Sequence, residues 1–208
     1  MTPKIFDISL PISSALAGWP GDAPFRLAWS CTKAAGAAVN VGQVSMSIHT
    51  GTHADAPFHF ADDGPTIDRM PLDSFIGPAR LIDVSGRPVI SPDDIEPYDL
   101  SSTPRVLLRS NAWTAHERFP NSIPTMSPGL PQWLYDRGVV LIGLDVPSVD
   151  AIDSKDLPIH HALGRCGIAI IESLDLANVP VGVYELIALP LKLLGGDGAP
   201  VRAILRSL

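Results

Sequence analysis

Cysteine is nearly missing from this 208-residue chain, with Cys31 and Cys166 its only two. Two thiols in a chain of this size fit a reducing cytoplasm, where each reads as a small buried hydrophobe. Charge is sparse as well, at 18% of residues, and 15 basic against 22 acidic side chains leave a net charge of -7. Without a Lys/Arg cluster there is no electrostatic footprint for nucleic acid or an anionic membrane, so the expected partner is a small molecule. Long apolar runs are also wanting: residues 167–194 are interrupted by Glu172, Asp175, Glu185 and Lys192 and read as buried strands, not a membrane span. Asp7 and Pro11 interrupt any secretory apolar run after Lys4, so no export signal is expected and the protein is placed in the cytoplasm. No Ser/Gly-rich linker divides residues 1–208, which implies a single domain.

Two catalytic signatures are missing too. No Gly-x-Ser-x-Gly elbow occurs, which argues against a serine-hydrolase mechanism. The cluster Gly195-Gly196-Asp197-Gly198 lacks the Lys-Ser/Thr pair of a phosphate loop and reads as a turn between strands.

Against this background one stretch stands out: His49, His53, Asp55 and His59 fall within eleven residues. Six histidines spread evenly over the chain would place about 0.3 in such a window. Neutral imidazole with carboxylate is a donor set for a divalent transition ion such as zinc, on which water ionises near neutral pH. A lone imidazole is more simply a half-buried residue bonded to backbone, but three with an aspartate favour the metal. Gly51, Thr50, Thr52 and Pro57 oppose a helix here. A fully extended chain would hold His49 and His53 about 13 Å apart. The alternation of Val44, Met46 and Ile48 with Ser45 and Ser47 predicts a strand running into His49, followed by a curl at Gly51 that brings the histidines together.

Further strands are predicted over residues 5–10, 25–31, 80–84, 106–109, 139–144, 167–171, 184–188 and 201–205. Helices are predicted to start at Ser91-Pro92, at Ser127-Pro128 with Gly138 as its stop, and at Asp156 with a stop at Gly164. Strands outnumber helices and many loops are short, so a mixed or barrel-like α/β sheet is expected instead of a simple doubly wound one. Asp62 and Asp63 read as solvated turn residues. Adjacent His160 and His161 point about 100° apart on a helix, so at most one faces a given ion. Glu172 ends a buried run with no cation beside it in sequence, and a metal is its natural partner. Trp19, in a Trp-Pro-Gly-Asp loop, reads either as a core plug or as a stacking platform for an aromatic substrate.

These blocks, with Asp7-Ile8-Ser9, Leu144 to Asp150 and Tyr184 to Leu191, resemble the cyclase-like metal hydrolases, and among them the bacterial kynurenine formamidases (arylformamidases). The resemblance implies a swivelling β/β/α fold and hydrolysis of N-formylkynurenine in tryptophan degradation. It implies two zinc ions per subunit, with manganese or another divalent ion as a substitute. His49, His53 and Asp55 would hold the first ion, His160 and Asp55 the second, and Glu172 would contact both. By the same resemblance His59 is the proton donor and acceptor, Trp19 contacts the substrate, and the assembly is a homodimer. The 46% hydrophobic content fits apolar surface buried between subunits. A sister amidohydrolase opening a cyclic amide such as isatin is the alternative.

Overall fold

The computed structural model describes residues 2–208. Its strands are β1 (Ile5–Asp7), β2 (Arg26–Cys31), β3 (Val41–Ser45), β4 (His53–Asp55), β5 (Ile76–Asp83), β6 (Val89–Ile90), β7 (Arg105–Arg109), β8 (Thr125–Met126), β9 (Leu141–Leu144), β10 (Ala169–Glu172), β11 (Gly182–Ile187), β12 (Gly198–Pro200) and β13 (Ile204–Ser207). The α-helices are short: α1 (Pro92–Ile95), α2 (Leu130–Tyr135) and α3 (Pro158–Arg165).

Nine strands form one sheet in the order β1-β13-β11-β5-β7-β9-β10-β4-β12. The central four, β5, β7, β9 and β10, run parallel, and antiparallel strands flank them on either side. Their near-continuous apolar runs arise because both faces are covered. Leu107 and Ile171 point into an inner core with Phe75, Leu81, Leu186 and Leu205. Val106, Leu108, Ile142 and Ile170 point the other way, onto Leu130 and Leu134 of α2 and Ile159 and Leu163 of α3. Each such Leu or Ile, fully buried, contributes about 1.5–3 kcal/mol relative to exposure.

The sheet curls round its inner core. Ser9, past the end of edge strand β1, bridges to Leu174 beyond β10, and Val201 beyond β12 bridges to Pro190 beyond β11. The result is a single mixed α/β domain with a curled sheet, as expected. Among the described residues strand β2 pairs only with β3, forming a separate antiparallel hairpin.

Several local expectations need correction. The predicted strand over residues 201–205 falls on a crossing between two strands: β12 ends at Pro200 on one edge beside β4, whereas β13 begins at Ile204 between β1 and β11. The chain crosses between them at Arg202, whose guanidinium pairs with Asp7 at 2.5 Å. The strand into His49 ends at Ser45, because Ser47 turns the chain: its hydroxyl donates to Asp22 at 2.7 Å and its carbonyl accepts from Thr50 N–H at 3.1 Å. Asp156 does not cap α3; Leu157 is its N-terminal flank, at φ 41, and the helix runs past Gly164 to Arg165. The helix expected from Ser127-Pro128 begins at Leu130, and Gly138 at φ 74 follows its end. Cys166 is half-buried against the outer core, and Cys31 lies half-buried on the hairpin.

Candidate metal centre

The register between β4 and β10 builds the floor of the site. Glu172 lies opposite His53 and Ile170 opposite Asp55, while Ala54 and Ile171 between them face the inner core. Period-2 alternation therefore puts His53, Asp55 and Glu172 on one face, at the carboxyl end of β10. Ligands in sheets of this kind bind beyond the carboxyl ends of the parallel strands. His49 arrives from the turn before β4. Gly51, at φ 70, makes that turn, and a Cβ there would stand 3.1 Å from Ile12 Cγ1 and 3.3 Å from Leu16 Cδ2. The expected curl brings the His49 and His53 rings to 4.9 Å between centroids. His160 comes from the first turns of α3.

Five of the predicted residues converge, in two clusters that share Asp55: His49, His53 and Asp55, and Asp55, His160 and Glu172. His49 Nδ1 is 3.0 Å and His53 Nε2 3.3 Å from Asp55 Oδ1. His160 Nε2 is 3.6 Å from both Asp55 Oδ2 and Glu172 Oε1, and His53 Nε2 is 3.5 Å from Glu172 Oε2. His53, Asp55, His160 and Glu172 are all buried.

The other nitrogen of each imidazole already has an acceptor. His53 Nδ1 faces the Gly51 carbonyl at 2.9 Å, His160 Nδ1 faces Asp150 Oδ2 at 2.7 Å, and His49 Nε2 faces Asp197 Oδ2 at 3.0 Å. Outer partners of this kind fix the tautomer and aim the remaining lone pair at an ion. Asp55 Oδ2 is buried without a hydrogen-bond partner among the described residues, an expensive state for a carboxylate oxygen unless a cation satisfies it. These residues fit a divalent ion on their own chemistry.

Their electrostatics agree. Burial pulls His160 down, but Asp150, Asp55 and Glu172 outweigh it and push it up to about 12. Burial likewise opposes Asp55 and Asp197 at His49, which they push up to about 9. Asp55 is held well below the usual carboxylate range because His160, His49 and His53 outweigh its burial. Burial and the neighbouring Asp55 charge raise Glu172. A cluster that draws protons onto buried imidazoles is one in which a cation replaces those protons.

Above the donors opens a cavity of about 440 Å³ whose lining includes Trp19, Trp113, Phe119, His59, His160 and Glu172. Trp19 is 37% exposed and meets Phe119 edge-on at 5.0 Å, which rules out a core plug and leaves an aromatic wall. His59 sits on the wall after Pro57, its ring 4.2 Å from that of His49. His161 belongs to neither cluster: it turns edge-on to Phe60 at 5.7 Å and lines a different cavity.

Two residues escaped the sequence reading as site components. Asp150 accepts the Ile159 and His160 backbone N–H groups at 3.0 Å, so it caps α3 while holding the His160 ring. Only its position ahead of a Pro-led helix hinted at this role. Asp197, read as part of a turn, places its carboxylate on both His49 and His59. Its distance from them along the chain left no local signal.

A curled mixed sheet thus gathers imidazoles and carboxylates at its strand ends under an open, aromatic-walled cavity, a donor set suited to a divalent ion. The chain belongs to the Cyclase family, described as "Putative cyclase", whose model matches residues 6–151. It is 48% identical over 208 residues to the kynurenine formamidase of Geobacillus thermodenitrificans, covering 100% of this chain and 99% of the relative. Its fold is similar to that of a protein from Bacillus stearothermophilus described as a "predicted metal-dependent hydrolase", with TM-score 0.84, 28% identity and 100% of both chains covered. Isatin hydrolase A of Labrenzia aggregata also has TM-score 0.84, at 25% identity over 99% of this chain and 94% of that one.

Proposed function

We propose that this protein is a kynurenine formamidase, cleaving N-formyl-L-kynurenine with water to L-kynurenine and formate. One juxtaposition carries the reading: the three imidazoles and the Glu172 carboxylate of the paired donor clusters line one cavity with a wall histidine and an aromatic platform. The 48% identity to a named kynurenine formamidase supports this substrate over isatin, whose hydrolase lies at 25%.

His49, His53 and Asp55 are assigned to one divalent ion, Asp55 and His160 to a second, and Glu172 to both. Zinc suits these nitrogen and oxygen donors, and manganese is the substitute. Ions held there would supply Lewis acidity and a water that ionises near neutral pH. The protein's own groups do the rest. Trp19, braced by Phe119, offers its face to the substrate's aromatic ring and sets the formyl group over the donors. As water oxygen bonds to the formyl carbon, His59 accepts the proton that the water gives up, and passes it to the departing aniline nitrogen as the carbon–nitrogen bond breaks.

The protein is proposed to work in the cytoplasm, within tryptophan catabolism, as a homodimer of single-domain subunits. Two half-buried free thiols support the compartment. The β2–β3 hairpin supports the assembly: Leu27, Trp29 and Val44 are exposed, and an isolated two-stranded hairpin is marginal in water.

The test is formate release from N-formylkynurenine and, separately, ring opening of isatin by zinc-loaded protein. Fast formate release with poor isatin turnover is expected. The reverse preference assigns the chain to cyclic amides, and no turnover of either overturns the hydrolase reading.

A further inference from the structure

We infer that Asp197 is a shared positioning residue: one carboxylate oxygen holds the ring of His49 and the ring of His59 in fixed tautomers, joining the first donor cluster to the proton-transfer histidine. Asp197 Oδ2 lies 3.0 Å from His49 Nε2 and 3.1 Å from His59 Nδ1. An ionised carboxylate only accepts, so both of these ring nitrogens carry hydrogen. His49 Nδ1 lies 3.0 Å from Asp55 Oδ1, and with an ion bound in the cluster it would give up that hydrogen bond and offer its lone pair to the ion, while His59 keeps its Nε2 lone pair for the substrate side.

The loop that carries Asp197 is pinned to the same segment it serves. Its carbonyl accepts from Ala56 N–H at 2.9 Å, between Asp55 and Pro57. Gly196 O accepts from Ile67 N–H at 2.9 Å, and Gly195 N–H donates to Asp68 at 2.9 Å. These bonds tie the Asp197 loop to the segment that carries Asp55 and His59.

A competing arrangement makes His49, His59 and Asp197 a third metal cluster, since their ligand atoms also gather closely. It would require His49 to bind ions through both ring nitrogens, which means removing its last N–H proton. A carboxylate shared between two N–H donors needs no such step.

The proposal rests on His59 as acid and base and on His49 as a ligand, so wild-type, Asp197→Ala and Asp197→Asn are compared as full chains loaded with zinc. Both current hydrogen bonds use one oxygen, so the asparagine amide oxygen can accept both while the charge is lost. Histidine ¹⁵N spectra are expected to show His59 protonated on Nδ1 in wild-type and Asp197→Asn, and a tautomer mixture in Asp197→Ala. In Asp197→Ala, zinc affinity should weaken by about 10–100-fold. At saturating zinc its kcat should fall about tenfold or more with little change in KM, and Asp197→Asn should recover most of that loss. Unchanged tautomer and kcat in Asp197→Ala would overturn the inference, as would loss of a whole additional ion per chain. If wild-type protein binds zinc without releasing formate, the formamidase reading fails, while the spectra and zinc affinity still decide the role of Asp197.

Discussion

Glu172 and His53 face each other as paired positions of adjacent antiparallel strands, with His53 Nε2 3.5 Å from Glu172 Oε2. The ladder itself thus spans the two donor clusters, and Val149 N–H, donating to Glu172 Oε1 at 3.0 Å, holds the carboxylate in place. Two divalent ions per chain are expected, since one leaves either His49 and His53 or His160 without a partner. Glu172→Gln should lower both metal content and formate release. One tight ion in the wild-type protein, with content and rate unchanged in the variant, would rule this out.

His59 stands on the cavity wall, outside the two clusters built on Asp55. His59→Ala should therefore keep its metals and fold while kcat falls by about 10²–10⁴. Metal stoichiometry and kcat measured on one preparation decide it: zinc lost together with rate makes His59 a ligand instead.

Trp19 is exposed and lines the cavity above the donor clusters. Trp19→Ala should raise KM more than it lowers kcat, by a stacking contribution of about 0.5–1.5 kcal/mol. A thermal denaturation midpoint many degrees lower with KM unchanged would return Trp19 to the core.

Without metal, stability should fall as pH rises. His49 is raised from 6.5 to about 9 in the fold, so its protonated form stabilises the native state fully below about pH 6.5, and that contribution is lost on the way up to 9. His160, raised to about 12, extends the loss further, while Asp55 stays ionised throughout this window and adds no slope. With zinc present the trend should reverse, because the ion binds deprotonated imidazole. Thermal midpoints from pH 6 to 9, with chelator and with zinc, test both slopes; a flat or rising curve in chelator contradicts the assignment.

Gly198 lies beside the His49 ring: a Cβ there would sit 2.8 Å from His49 Cε1 and 2.9 Å from the Ala54 carbonyl oxygen. The backbone oxygen cannot yield cheaply, so Gly198→Ala should displace His49, weaken the first ion and cost about 1–3 kcal/mol of stability. Wild-type zinc affinity in this variant would mean that the strand edge shifts instead.

Much of the centre was legible because its information is local. His49, His53, Asp55 and His59 lie within one short stretch, and Gly51 supplies the bend that turns their spacing into a cluster. Glu172 announced itself as a carboxylate closing an apolar run, since a buried charge without a sequence neighbour requires a partner from elsewhere. The parallel core strands were readable for the same reason: both faces are apolar, so burial is written into every residue of the run.

What only the tertiary structure decided depends on the curl of the sheet. Residues 201–205 read as one strand, yet the chain leaves β12 at one edge and enters β13 between β1 and β11, because closure of the curled sheet brings those positions close. That path sets Asp197 against His49 and His59, 148 and 138 residues away, a separation over which no periodicity survives. His160, which the family resemblance had already favoured over His161, is the one whose ring reaches Asp150, the residue that caps α3. Trp19 became a cavity wall when Phe119 arrived beside it. Local patterning determined which groups need a partner, and the long-range closure of the chain determined which partner each receives.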